Sequence, residues 1–226
     1  MRWFAHMRAI GAITIGQAPR DDVVPEMEKL LGAGARVLQA GALDGLSRAD
    51  IAALAPADGE DALITRLTDG SDVIVAKRAI LGRLQACLDR LAPESEACVV
   101  LCAGKFPPFR SPRPVLLPDR LIAAAVGAVW EGGRLGVIVP IPQQRAAAVA
   151  GWAHVDPQVA VTVASPYQGA GEVMRAAEEL RRAGVTLTVM NCLGFTSATK
   201  AVVRDVTGAP ALLPISLIAR FLGELA

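Results

Sequence analysis

The sequence has almost no charge of one sign to spare. Twenty-three Lys and Arg stand against 22 Asp and Glu, for a net charge of +1, so no overall basic field draws the chain to nucleic acid or a membrane surface. Long hydrophobic runs are also missing. The longest, Leu121–Trp130, is too short to span a bilayer. Cysteine is sparse: four residues at irregular spacing in 226 do not make a disulfide framework, and a cytoplasmic location is the expectation. The two histidines, His6 and His154, give little support to zinc ligation or histidine-based catalysis. No P-loop, no Gly-x-Ser-x-Gly elbow and no Cys-x-x-Cys pair is present. The arrangement calls for no metal and no cofactor.

What is abundant is aliphatic surface. With 53% hydrophobic residues the chain can bury itself, which excludes disorder, and its length suits one compact domain or two similar halves. Residues 1–18 carry an arginine near the start and an apolar stretch, the outline of a signal peptide. A copy of Ile10–Ile15 recurs later, so that segment reads instead as the first core strand. Met7 is an alternative start, with Met1–His6 an added end.

Short apolar runs alternate with helical patterns. Strands are expected at 9–15, 97–102, 135–139, 159–164 and 187–191. Helices are expected at 23–31, 81–91, 121–130, 143–153, 171–183 and 197–206. Strands that are apolar throughout, separated by amphipathic helices, predict an α/β protein with mostly parallel sheets flanked by helices. Gly184, after Arg181 and Arg182, is a helix stop.

Two pairs of segments match in register. Ile10-Gly11-Ala12-Ile13-Thr14-Ile15 with Gln17 and Arg20 parallels Leu135-Gly136-Val137-Ile138-Val139-Pro140 with Gln143 and Arg145. Val99-Val100-Leu101-Cys102-Ala103-Gly104 parallels Thr188-Val189-Met190-Asn191-Cys192-Leu193-Gly194, each ending on Cys-x-Gly before a phenylalanine. The expectation is two similar lobes, 1–120 and 121–226, with a cleft between them. The first lobe is longer. Ser47 and Asp50 open a short helix with a capping box, and Asp69-Gly70 between β-branched runs signals a hairpin insertion near 63–77. It projects over the site or pairs with another subunit. The proline-rich stretch Phe106–Pro118 reads as a loop.

Cys102 and Cys192 each sit at the carboxyl end of an expected parallel strand, where ligands bind in open α/β sheets. Related by a pseudo-two-fold, the sulfurs would face one substrate from opposite sides, as base and acid. That suits proton removal and return at a carbon beside a carboxylate. The competing reading is that each thiol fills space at a strand end. Cys87 and Cys98 read as packing residues, and Cys98 is too far along its strand from Cys102 for a bridge. A carboxylate clamp is expected from Thr14, Gln17 and Arg20 in the first turn, Lys105 after Cys102, Asn191 before Cys192, and Thr196 and Ser197 at the opening of what reads as the last helix. Arg20 is the best single charge for a two-pronged grip, and a solvated helix-start arginine is the equal alternative. Ser197 reads equally as a plain N-cap. Gly169-x-Gly171 is a weak dinucleotide echo, with Met174 where a third glycine belongs. Tyr167, in the same turn, is placed to cap the cleft, and Trp130 and Trp152 to pack against the sheet or a partner subunit.

Ile-Thr-Ile-Gly-Gln-Ala-Pro-Arg-Asp-Asp (13–22), Leu-Asp-Gly-Leu-Ser (43–47), Thr-Arg-Leu-Thr-Asp-Gly (65–70) and Asn-Cys-Leu-Gly-Phe-Thr (191–196), in that order, resemble the AroM family. That family is similar to the aspartate/glutamate/hydantoin racemase superfamily. The resemblance implies two α/β lobes, an active-site cleft, one catalytic cysteine per lobe (here Cys102 and Cys192), and frequent dimers. Relatives with the same cleft decarboxylate or isomerise. The expected function is a cofactor-independent racemase or isomerase of a small carboxylate-bearing molecule. The alternatives are a one-cysteine decarboxylase or a metabolite-binding module without catalysis. A homo-oligomer, a dimer, is the expected assembly, with no nucleic-acid or membrane partner.

Overall fold

A computed structural model describes residues 8–32 and 34–225; His6 and the Met1–His6 extension lie outside them. Ten strands and eight α-helices follow in chain order. The first sheet contains β1 (Arg8–Thr14), β2 (Ala35–Gly41), β5 (Ala97–Leu101) and β6 (Val115–Leu116), in the order β2-β1-β5-β6. The second contains β7 (Leu135–Val139), β8 (Ala160–Val163), β9 (Leu187–Met190) and β10 (Ala211–Leu212), in the order β8-β7-β9-β10. Every pairing in both sheets is parallel. The two orders are the same path taken twice: a central strand, then its neighbour on one side, then two strands on the other.

Between the strands lie α1 (Val24–Leu31), α2 (Arg48–Ala52), α3 (Lys77–Leu91), α4 (Pro118–Val129), α5 (Arg145–Trp152), α6 (Ala170–Arg182), α7 (Ser197–Thr207) and α8 (Pro214–Leu225). Central strands β5 and β7 are buried at every residue. That is why they read as unbroken apolar runs rather than alternating ones: helices cover both faces. The second residue matched between the two central strands is glycine in each. A methyl on Gly11 would lie 2.8 Å from Cys98 Sγ and 3.3 Å from Leu91, at the end of α3. A methyl on Gly136 would lie 3.0 Å from Val185 and 3.2 Å from Leu180 of α6. The helix preceding β5 and the helix preceding β9 thus press onto their central strands at the same place.

The chain separates into two compact units. One runs to Asp119 and takes in the chain from Ile218 onward; the other is Arg120–Leu217. The division falls inside α4 and α8, so most of α4 belongs to the second unit and most of α8 to the first. These two helices are a third matched pair. Leu116-Leu117-Pro118 and Leu121-Ile122-Ala123 correspond to Leu212-Leu213-Pro214 and Leu217-Ile218-Ala219. Leu117, Ile122 and Val126 are buried, as are their counterparts Leu213, Ile218 and Leu222.

The hairpin insertion is β3 (Ala62–Arg66) against β4 (Asp72–Ala76), antiparallel, with Thr65 opposite Val73 and Arg66 opposite Asp72. The capping box at Ser47 and Asp50 is formed in α2. Gly184 takes the left-handed conformation, φ 71°, that ends α6. Several elements depart from the sequence reading. β2 is absent from it, because this edge strand is only half-buried and mixes Arg36 and Gln39 with its apolar residues. α3 starts at Lys77 rather than 81, directly from the end of the hairpin. The proline-rich loop ends in the short strand β6, and Pro118 is the first residue of α4. α7 is not the last helix, since α8 follows it. Among the described residues no helix is long and apolar enough to cross a membrane.

Two glycines outside the left-handed region separate cleanly by their surroundings. Gly82 in α3 faces open space, whereas a methyl on Gly41 would sit 2.5 Å from the Gly16 carbonyl and 2.7 Å from the Ala18 amide nitrogen. Gly82→Ala is expected to stabilise the protein by about 1 kcal/mol, the helix-propensity difference. Gly41→Ala is expected to destabilise it by about 3 kcal/mol, because backbone must move. Urea denaturation of the two variants checks both signs.

Candidate functional site

The carboxyl ends of β1 and β5 in the first unit, and of β7 and β9 in the second, are where the strand order reverses. Ligand sites of parallel α/β sheets form at such points. In the first sheet Thr14 is level with Leu101, so Cys102 is level with Ile15. In the second, Ile138 is level with Met190, and the Asn191 amide continues the ladder to the Ile138 carbonyl at 2.8 Å. That sets Cys192 level with Pro140. Each cysteine therefore stands beside the first residue after its central strand.

The two chains leave the sheets in the same way. The Cys102 amide donates to the Val100 carbonyl at 2.8 Å, and the Cys192 amide to the Met190 carbonyl at 2.7 Å. This bond to the residue two back turns the chain sharply out of the strand. Both sulfur-bearing residues are partly exposed, while Cys87 and Cys98 are buried. Burial pushes both the Cys87 and the Cys98 thiols up, as suits packing residues. The Gly104 amide donates to Cys102 Sγ at 3.4 Å, a contact that suits a sulfur carrying negative charge.

The turn after β1 is built around Thr14 and Arg20, both buried. The Thr14 hydroxyl accepts from the Gly16 amide at 3.1 Å and from Arg20 Nη1 at 3.1 Å. Arg20 does make a two-pronged carboxylate grip, but on its own chain: Nε donates to Asp22 Oδ1 at 2.7 Å and Nη2 to Asp22 Oδ2 at 2.8 Å. Burial pushes the Asp22 carboxyl up. The Arg20 hydrogen bonds and charge, helped by the charge of Arg66, outweigh that and hold it below the usual carboxylate value. Gln17 is likewise engaged. Its side-chain oxygen accepts from the Thr68 amide at 3.1 Å and the Thr68 hydroxyl at 3.0 Å, tying the hairpin to the turn. Asp44 completes the edge, accepting from the Ala18 amide and the Gly41 amide at 2.8 Å each. Lys105, three residues beyond Cys102, is exposed.

In the second unit, Asn191 and Cys192 are half-buried at the end of β9. Thr196, not Ser197, is the N-cap of α7. Its hydroxyl accepts from the Thr199 amide at 3.3 Å, and the Thr199 hydroxyl accepts from the Thr196 amide at 2.9 Å. Ser197 is the first helical residue and is exposed. Tyr167 packs on the Cys-x-Gly turn: a methyl on Gly194 would lie 3.0 Å from its ring and hydroxyl. Trp152 is buried, Trp130 half-buried and His154 exposed.

The structure thus gathers Thr14, Gln17, Arg20, Cys102 and Lys105 at the carboxyl edge of the first sheet, and Asn191, Cys192, Thr196 and Ser197 at that of the second. Asp22, Asp44 and Arg66 were missed as members of this edge. A buried Arg20 requires a partner within reach, and Asp22 two residues on was the available signal.

Asp22→Asn leaves the buried Arg20 without its counter-charge. The expected loss at pH 7 is about 2 kcal/mol, less than for a fully buried pair because Asp22 is partly exposed. The folded-state carboxyl lies below its ordinary value, so its contribution is present above that value and disappears as pH falls through the folded one. Wild type and variant should therefore converge in urea denaturation as the pH is taken below the carboxylate range.

Similarity to known proteins follows the same geometry. The family described as AroM protein matches residues 10–226. No curated protein sequence matches. Among solved structures, an allantoin racemase from Klebsiella pneumoniae superposes with a TM-score of 0.60 at 14% identity, over 96% of this chain and 87% of that one. Glutamate racemase from Francisella tularensis subsp. tularensis SCHU S4, in complex with D-glutamate, gives 0.58 at 14% identity, over 97% and 81%. Unliganded arylmalonate decarboxylase gives 0.56 at 11% identity, over 96% and 92%. At these identities the likeness is one of fold: two lobes, each a parallel sheet flanked by helices. The family match spans nearly the whole chain, from within β1 to its end, and on that ground this protein belongs to the AroM family.

Proposed function

We propose that this protein is a cofactor-independent racemase or isomerase of a small carboxylate, with Cys102 and Cys192 as alternating base and acid. The observation that carries the reading is the duplicated strand exit: two partly exposed thiols, each beside the first residue after a central strand, each turned out of the sheet by the same amide bond. The likeness of fold to racemases and to a decarboxylase supports it.

One thiolate removes the proton on the carbon beside the carboxylate, and the other thiol returns a proton from the opposite face. In the reverse direction the roles exchange, so both sulfurs must hold charge in turn. The charge left on the substrate spreads into its carboxylate oxygens and needs donors aimed at them. Asn191, Ser197 and the opening amides of α7 are those of the second unit, and Lys105 that of the first. Thr196 contributes through the cap it forms. Thr14, Gln17 and Arg20 contribute through the turn they lock rather than through a loose side chain, because each is already engaged within the fold.

The test is hydrogen–deuterium exchange at the substrate carbon. Aspartate, glutamate, allantoin and phenylmalonate are incubated with the protein in deuterated water and followed by NMR. Exchange on a carboxylate is expected. Cys102→Ala and Cys192→Ala should each reduce it about 100-fold or more, with circular dichroism unchanged. Exchange persisting at the wild-type rate in both variants overturns the assignment. Carbon dioxide released from phenylmalonate with only one cysteine required turns it into a decarboxylase.

A further inference from the structure

The hairpin β3–β4 has no counterpart in the second unit, and its placement is specific. β3 lies against both turns at the carboxyl edge of the first sheet. Leu63 packs on the turn after Cys102, where a methyl on Gly104 would come within 3.1 Å of Leu63 Cδ2. Farther along, a methyl on Gly16 would collide with the Thr65 hydroxyl and lie 2.7 Å from the Arg66 carbonyl. Glycine at 16 lets the hairpin backbone approach the turn after β1. The double bond from Thr68 to Gln17 then fixes the hairpin two residues beyond Arg66. The hairpin is therefore a fixed wall of this edge.

Arg66 is the last residue of β3 and is half-buried, with its Nε enclosed. Its charge is felt at Asp22. Asp22, however, already gives both carboxylate oxygens to Arg20, and that pair is neutral. Arg66 adds a second guanidinium beside a carboxylate that the first has already taken up. Asp72, opposite it in the hairpin register, is on the exposed side of β4.

We propose that Arg66, carried in by the hairpin, is the anion-recognition residue of the Cys102 edge and directs a carboxylate-bearing substrate to that thiol. This rests on the proposed function in one respect: Cys102 must be a reactive site thiol. The role sought in Arg20 from the sequence falls to Arg66 because Arg20 is committed to Asp22. The substrate class it selects is a small anion, in preference to a neutral molecule of the same size.

The experiment compares two alkylating reagents of like shape, anionic iodoacetate and neutral iodoacetamide. Labelling rates at Cys102 are read by peptide mass spectrometry on the whole protein, with glutathione as the reference thiol. The iodoacetamide rate in native protein tests the thiol; the iodoacetate-to-iodoacetamide ratio tests Arg66. The ratio at Cys102 is expected to exceed that of glutathione about threefold at low salt, as for a unit charge at roughly 10 Å in a partly screened site. It should fall toward the reference in about 0.5 M salt. Arg66→Gln should abolish the excess while leaving the iodoacetamide rate unchanged, and Arg66→Lys should keep most of it. A normal iodoacetamide rate with a ratio that neither salt nor Arg66→Gln alters overturns the inference and leaves the thiol assignment standing. A Cys102 inert to iodoacetamide in the native protein removes both.

Discussion

In each unit the spacing between the central strand and the helix that covers it is set by a glycine with no room for a methyl group, Gly11 in one and Gly136 in the other. The rest of the site geometry follows from this contact. The helix pressed against the glycine leads directly into the strand that ends in cysteine, α3 into β5 and α6 into β9. Fixing the helix against the central strand fixes where the next strand enters the sheet, and hence its register. Both cysteines then emerge level with the first residue beyond the central strand. A larger side chain at either glycine would lift the helix and slide a thiol relative to its turn. Close packing thus sets the positions of groups several residues away, because a dense interior transmits displacement rather than absorbing it.

At the first edge a second constraint operates. A guanidinium buried as deeply as that of Arg20 is tolerable only with its charge matched and its donors used. Asp22 and Thr14 do this together, and the Thr14 hydroxyl links the arginine to the last residue of β1. Burial favours the neutral carboxyl, while two hydrogen bonds and two nearby positive charges favour the anion. The balance falls to the anion. Such a network costs desolvation and returns rigidity: the turn, the hairpin tied to it through Gln17, and the neighbouring strand exit hold one arrangement. Groups held in advance of binding are what electrostatic stabilisation of a developing charge requires.

Much of this was legible in the sequence. The fully buried strands announce themselves because nothing polar interrupts Val137-Ile138-Val139 or Val99-Val100-Leu101, and the Cys-x-Gly exits recur in matched surroundings. Asp69-Gly70 located the hairpin, and Ser47 with Asp50 the cap of α2. Edge elements were not legible: β2 is half-exposed and carries Arg36 and Gln39, and β6 and β10 are two residues each. α8 escaped although it repeats α4, since the repeat lies in Leu-Leu-Pro and Leu-Ile-Ala, common aliphatic strings that stand out only once both are seen to follow matched short strands. The partners of Thr14, Gln17 and Arg20 were hidden for a different reason. Sequence shows which residues are able to bind a ligand, but not that Asp22 and Thr68 reach them first.

The duplication has diverged at the positions that surround the two thiols. In the second unit, α7 begins four residues past Cys192, and its amides open toward the strand exit with Thr196 as cap. In the first unit that helix is replaced by the proline-rich loop after Lys105, so the partial positive charge of a helix N-terminus is missing there. The hairpin occupies the first unit instead and brings a full charge, Arg66, to the turn beside β1. A reaction in which base and acid exchange roles with direction needs a favourable environment for negative charge at both sulfurs. Here one half meets that need with aligned backbone dipoles and the other with a guanidinium on an inserted strand. The two halves therefore share a path through the sheet but differ in charge, and the difference gives an asymmetric substrate a preferred orientation that two identical halves would lack.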